Sequence, residues 1–154
     1  MNLSKVLLFL VSCLFVSCNI SSASDSKKKG EVVLLTLEEF KKSIFDYEKN
    51  PEKWDYKGSL PAVIDFYADW CGPCRMLSPV FKELATEYAG EVIMYKVDVD
   101  KEKELAGLFG VSSIPMLFFI PVDGRPQVIR GALPKGELKK KIDSILLGKE
   151  ETDK

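Results

Sequence analysis

The apolar run Ala62-Val63-Ile64-Asp65-Phe66-Tyr67 leads almost directly into Trp70-Cys71-Gly72-Pro73-Cys74. Near-continuous apolar character reads as a strand covered on both faces, which requires layers above and below a sheet. Met76, Leu77, Val80, Phe81, Leu84 and Tyr88 then recur at helical spacing. A strand that delivers two thiols to the first turn of a helix places them among unpaired N–H groups and the positive end of the helix dipole. Such surroundings lower a thiol pKa from about 8.5 to about 3.5–7.5. The two-residue spacer also lets the sulfurs close a small ring. The implied chemistry is thiol–disulfide exchange.

The rest of the chain completes an alternating pattern. Glu31–Leu35 is β-rich, and Thr36 with Glu39 forms a capping box for a helix carrying Phe40, Ile44, Phe45 and Tyr47. Asn50-Pro51 is expected to stop it, and Lys53–Ser59 to form a loop. The central strand is placed at Leu60–Tyr67. Pro79 is expected to kink the helix after the dithiol, and Ala89-Gly90 to end it. A strand over Glu91–Val99, a helix over Lys101–Phe109, a strand over Met116–Ile120 and a hairpin turn at Val122–Arg125 follow. Gln127–Arg130 is the partner strand, and Pro134 opens a last helix burying Leu138, Ile142, Ile145 and Leu146. The order βαβαβαββα predicts an α/β fold, a three-layer α/β/α sandwich with a mixed central sheet.

Composition narrows the chemistry. Of 154 residues, 46% are apolar and 29% charged, a globular balance, and a net charge of −1 gives no electrostatic case for nucleic acid. Histidine is absent, which removes Cys–His and Ser–His catalysis and every His-ligated metal site. Of the four cysteines, Cys13 and Cys18 lie in an apolar N-terminal stretch, leaving Cys71 and Cys74 in the domain. Two sulfurs without imidazole do not make a structural zinc site, so neither metal nor cofactor is expected.

The N-terminus reads as an address. Met1–Lys5 is a short basic n-region and Val6–Val16 an h-region too short for a spanning helix. Phe15-Val16-Ser17-Cys18 resembles a lipobox, in which Cys18 is acylated; cleavage after Ala23 and an uncleaved anchor are the alternatives. Lys27-Lys28-Lys29 weighs against easy export. The expected organisation is a signal over 1–23, a tether over 24–30, a domain over 31–148 and a charged tail over 149–154. All three readings of the signal put the domain in an oxidising space outside the cytoplasm.

Within the domain, Cys71 lies nearer the helix start and is expected to be the more exposed thiol and the nucleophile. Cys74, one turn in, is the resolving thiol. Gly72 allows close approach of a substrate sulfur, and Pro73 stiffens the turn where no donor is needed. Asp65, in the middle of an apolar strand, reads better as a buried acid behind the dithiol than as an edge residue. Burial would raise its pKa and let it take the Cys74 proton. Lys96 on the neighbouring strand is either its counter-charge or a solvated side chain. Pro115 either starts a strand plainly or follows a cis bond in a functional loop. Trp70 and Ile114 are candidates for a flat apolar substrate patch.

These blocks together resemble thioredoxin. DFYADWCGPCRMLSPVF is similar to that family's active-site strand and helix, and KVDVD, SSIPMLFF and RGALPKGEL match later blocks in order and spacing. The resemblance spans Glu31 to about Leu147. It implies Cys71 as nucleophile, Cys74 as resolving thiol, Asp65 as buried acid beside Lys96, a cis Pro115, and Ile114 and Gly131 lining a substrate groove. The Gly-Pro pair between the cysteines is similar to that of reducing members, and an exported form looks like periplasmic thioredoxins. Implied partners are disulfide-bearing protein substrates and a membrane thiol reductant, with contact to the membrane itself only through a lipid anchor. Tyr67 stands where the family often has Trp, and Pro134 where a capping Ser is usual. No large insertion separates Glu91 from Pro115, unlike the dedicated cytochrome-maturation reductants. A net oxidase or isomerase, or a binding module with a structural disulfide, are the competing readings.

Overall fold

The computed structural model describes residues 30–149. The signal, the lipobox with Cys18 and most of the tether lie outside these residues. In chain order the elements are β1 (Val33–Leu34), α1 (Leu37–Ser43), β2 (Ala62–Tyr67), α2 (Gly72–Glu87), β3 (Ile93–Asp98), α3 (Lys103–Leu108), β4 (Met116–Ile120), β5 (Gln127–Arg130) and α4 (Lys135–Lys141). A π-helical turn, Ile142–Leu146, continues α4. The expected order of strands and helices is the one observed.

The sheet runs β1-β3-β2-β4-β5. β2 pairs in parallel with β3 and antiparallel with β4, so the apolar run of the sequence is a central strand. One face packs Ile64, Phe66, Tyr95, Val97 and Phe118 against Phe40, Ile44 and Leu105 of the α1–α3 side. The other packs Val63, Met94, Leu117 and Phe119 against Leu77, Phe81 and Leu84 of α2 and Leu138 of α4. The result is a three-layer α/β/α sandwich around a mixed sheet.

Local departures have local causes. Thr36 and Glu39 make the expected reciprocal cap, but α1 ends at Ser43 rather than running to Asn50. The Ile44 carbonyl accepts the Lys57 N–H at 2.9 Å, and Phe45 turns to pack on Trp54 with ring centroids 4.7 Å apart. Contacts with the 53–59 loop thus replace the helical bonds that periodicity alone would continue. α2 runs from Gly72 to Glu87 with Pro79 inside it, as expected, and stops before Ala89-Gly90. Pro134 sits at the N-cap of α4 without a side-chain cap bond, as the missing Ser hydroxyl implies. Among the described residues no helix is long and apolar enough to cross a membrane.

Candidate active site

β2 ends at Tyr67, and the chain turns through Ala68–Trp70 into α2, with Cys71 at the N-cap. Cys71 and Cys74 are joined in a disulfide, their Cα atoms 5.3 Å apart. The backbone N–H of Cys74 donates to Cys71 Sγ at 3.2 Å. A side-chain acceptor normally caps this position, and here the acceptor is the sulfur itself. On reduction, negative charge on Cys71 Sγ would therefore meet a fixed donor and the positive end of a 16-residue helix. Cys71 is 4% exposed and Cys74 1%. The ordering is the expected one, but both are buried, and only an edge of Cys71 meets solvent. The Ile114 carbonyl oxygen lies 3.8 Å from Cys71 Sγ.

Gly72 has a helical backbone and precedes Pro73. A Cβ there would crowd the proline ring, while no atom other than its chain neighbours comes within 4 Å of the place a Cβ would occupy. Glycine thus both permits the turn and leaves the approach to the sulfurs open.

Ile114-Pro115 is a cis peptide, not a plain trans start to the strand. Ile114, with Tyr67 and Val99, packs against the cluster of Ala68, Cys71 and Cys74. The Pro115 carbonyl accepts the Gly131 N–H at 2.8 Å, tying the start of β4 to the end of β5. Gly131 has φ +92°, a region disfavoured for residues with a Cβ. Trp70 is 66% exposed, and its indole N–H donates to Asp100 Oδ2 at 2.8 Å.

Asp65 is fully buried, not at an edge. Val63, two residues earlier on the same strand face, packs on Leu77 and Phe81, so Asp65 faces α2. Neither carboxylate oxygen has a hydrogen-bond partner. Lys96, its register partner on β3, is also buried and brings Nζ to 3.8 Å from Asp65 Oδ2. This is an ion pair without a hydrogen bond, and Lys96 is a counter-charge, not a solvated side chain. Burial pushes the Asp65 carboxyl up from 3.8 to about 6, with Lys96 pulling partly the other way. A carboxyl with that affinity exchanges protons near neutral pH.

Sequence reasoning missed three contributors. Ser78 Oγ accepts from Lys96 Nζ at 3.2 Å. The Tyr67 ring lies under the same ammonium, 3.8 Å from Nζ to centroid. Asp100 holds Trp70. Ser78 was findable in principle: it follows Cys74 by four residues and so shares its helix face. Asp100 carried no signal. Among the described residues, no three metal-ligating side chains of the His, Cys, Asp or Glu kind cluster.

An amide-capped sulfur in a closed two-cysteine ring, with a buried carboxyl on the adjoining strand, defines a thiol–disulfide oxidoreductase. Comparison with known proteins narrows the class. The thioredoxin family profile matches residues 31–144. A thioredoxin of Borreliella burgdorferi is 50% identical over 101 residues, 66% of this chain and 86% of that protein. Thioredoxin 1 of Synechococcus elongatus is 39% identical over 90 residues, 58% of this chain and 84% of its own length. The solved structure of chloroplastic thioredoxin z superposes with a TM-score of 0.63 at 25% identity, over 75% of this chain and 94% of that one. The chain belongs to the thioredoxin family. Membership, with the redox-active pair, sets aside the reading as a binding module with a purely structural disulfide.

Proposed function

We propose that this oxidoreductase works as a protein-disulfide reductase on the periplasmic side, recharged by a membrane thiol reductant. The observation that carries the chemistry is the Cys74 amide donating to Cys71 Sγ at 3.2 Å. In the reduced protein the Cys71 thiolate attacks a substrate disulfide; one substrate sulfur leaves as thiolate, and a mixed disulfide forms. Asp65 takes the Cys74 proton, and the Cys74 thiolate attacks Cys71 Sγ. The Cys71–Cys74 bond closes and the second substrate sulfur leaves. Two electrons pass from the dithiol to the substrate, and the two released sulfurs take up two protons. The reacting surface is Trp70, Gly72 and Pro73 on one side and Ile114, Pro115 and Gly131 on the other.

The Gly-Pro pair between the cysteines supports the reducing direction. The apolar Val6–Val16 stretch supports export, with Cys18 as the acylated residue of a lipid-anchored form and Ala23 as the cleavage point of a soluble one. Direction is tested by the reduction potential of the Cys71–Cys74 couple. A value of about −270 mV is expected; a value of about −120 mV would make the protein a net oxidant.

A further inference from the structure

The Lys96 ammonium is divided among three groups. It lies 3.8 Å from Asp65 Oδ2, donates to Ser78 Oγ at 3.2 Å, and stands 3.8 Å from the Tyr67 ring centroid. Of the three, the carboxylate carries the strongest attraction, but it is not the one that receives the hydrogen bond. An unobstructed ammonium would close to hydrogen-bond contact with a carboxylate, near 2.8 Å in about the ordinary charge-assisted geometry. Both Asp65 oxygens nevertheless lack a hydrogen bond, while the Ser78 hydroxyl receives one.

We propose that Ser78, acting with Tyr67, is a positioning residue of the exchange reaction: it holds the Lys96 ammonium short of Asp65 and so keeps that carboxyl free to carry the Cys74 proton. The groups around Asp65 agree with this. β3 contributes Lys96, the register partner of Asp65; β4 contributes the apolar Leu117 opposite it; Tyr67 follows two residues on along the same face of β2; and α2, which Asp65 faces, carries Ser78 one turn after Cys74, bonded to Lys96. Lys96 is thus the one fixed charge in this set, and its distance governs how firmly Asp65 holds a proton. Ser78 acts through Lys96 and touches no substrate. Tyr67 supplies an aromatic face that an ammonium prefers to bare apolar surface.

The inference rests on the proton-carrier reading of Asp65 given above, and the test separates the two. The Asp65 carboxyl is titrated by carbon-13 NMR in the oxidised protein, for wild type, Ser78→Ala, Ser78→Thr and both serine states in a Lys96→Met background. Loss of the hydroxyl lets Lys96 close on Asp65, and at an effective dielectric of about 20 the midpoint falls by about one pH unit, tenfold in proton affinity. Ser78→Thr keeps the hydroxyl and the wild-type midpoint. With Met at position 96, Ser78→Ala produces no shift. A Ser78→Ala midpoint that stays put or rises, or a shift that persists without Lys96, overturns the inference. The pH profile of insulin reduction by Asp65→Asn judges the proton-carrier role by itself: a wild-type profile there refutes that role and leaves the titration to judge Ser78.

Discussion

Replacing Asp65 with Asn changes stability in a pH-dependent way whose sign follows from burial. The carboxyl is fully buried, and its pKa is raised from 3.8 to about 6 by that burial. The folded protein therefore binds more protons than the unfolded chain between those values, and its stability falls as pH rises through them. The contribution is fully present below about pH 4 and is lost by about pH 7. A gap from 3.8 to about 6, at about 1.4 kcal/mol per pH unit, amounts to about 3 kcal/mol. Asn is neutral throughout and escapes the loss. Urea unfolding of both proteins, oxidised, from about pH 4 to about pH 8 measures the difference. Contributions of other titrating groups cancel between the curves. The variant should gain on wild type by about 3 kcal/mol across that range. A difference curve that stays flat would show that Asp65 titrates as an ordinary surface acid and would refute the reasoning. On the proposed proton-carrier role of Asp65, the same substitution should slow release of the mixed disulfide at neutral pH.

Two glycines by the dithiol should resist substitution for different reasons. Gly131→Ala places a Cβ in open space but at φ +92°, so the loss is backbone strain, about 1–2 kcal/mol in urea midpoint terms. Gly72→Ala meets only its chain neighbours, but its α conformation ahead of Pro73 is disfavoured once a Cβ is present, at about 1 kcal/mol or more. Equal stability of wild type and either variant would contradict the account of that position.

Much of the domain was readable because its signals are local. The Ala62–Tyr67 run is apolar on both faces since it is central, flanked by β3 and β4. The Thr36–Glu39 box announces its own helix start. What failed to appear in the sequence depends on partners distant along the chain. Periodicity extends α1 beyond Ser43, but Lys57, thirteen residues past Ile44, takes the Ile44 carbonyl. β1 shrinks to Val33–Leu34 because only those residues pair with Tyr95 and Lys96. The cis bond before Pro115 has no local mark that separates it from a plain strand start. Asp65 was recognisable as an anomaly in an apolar strand, whereas the sharing of Lys96 among Asp65, Ser78 and Tyr67 draws on three segments. Trp70 was singled out as a substrate contact, but the carboxylate that fixes its indole, Asp100, is thirty residues away.

The most direct test of the account is the rate at which iodoacetamide modifies the reduced protein as a function of pH, with the labelled sulfur located by mass spectrometry. Cys71 should react first, with a titration midpoint at or below about 7.5, because the Cys74 amide and the helix N-terminus stabilise its thiolate. A rate that climbs only toward about 8.5, or first labelling at Cys74, would contradict it.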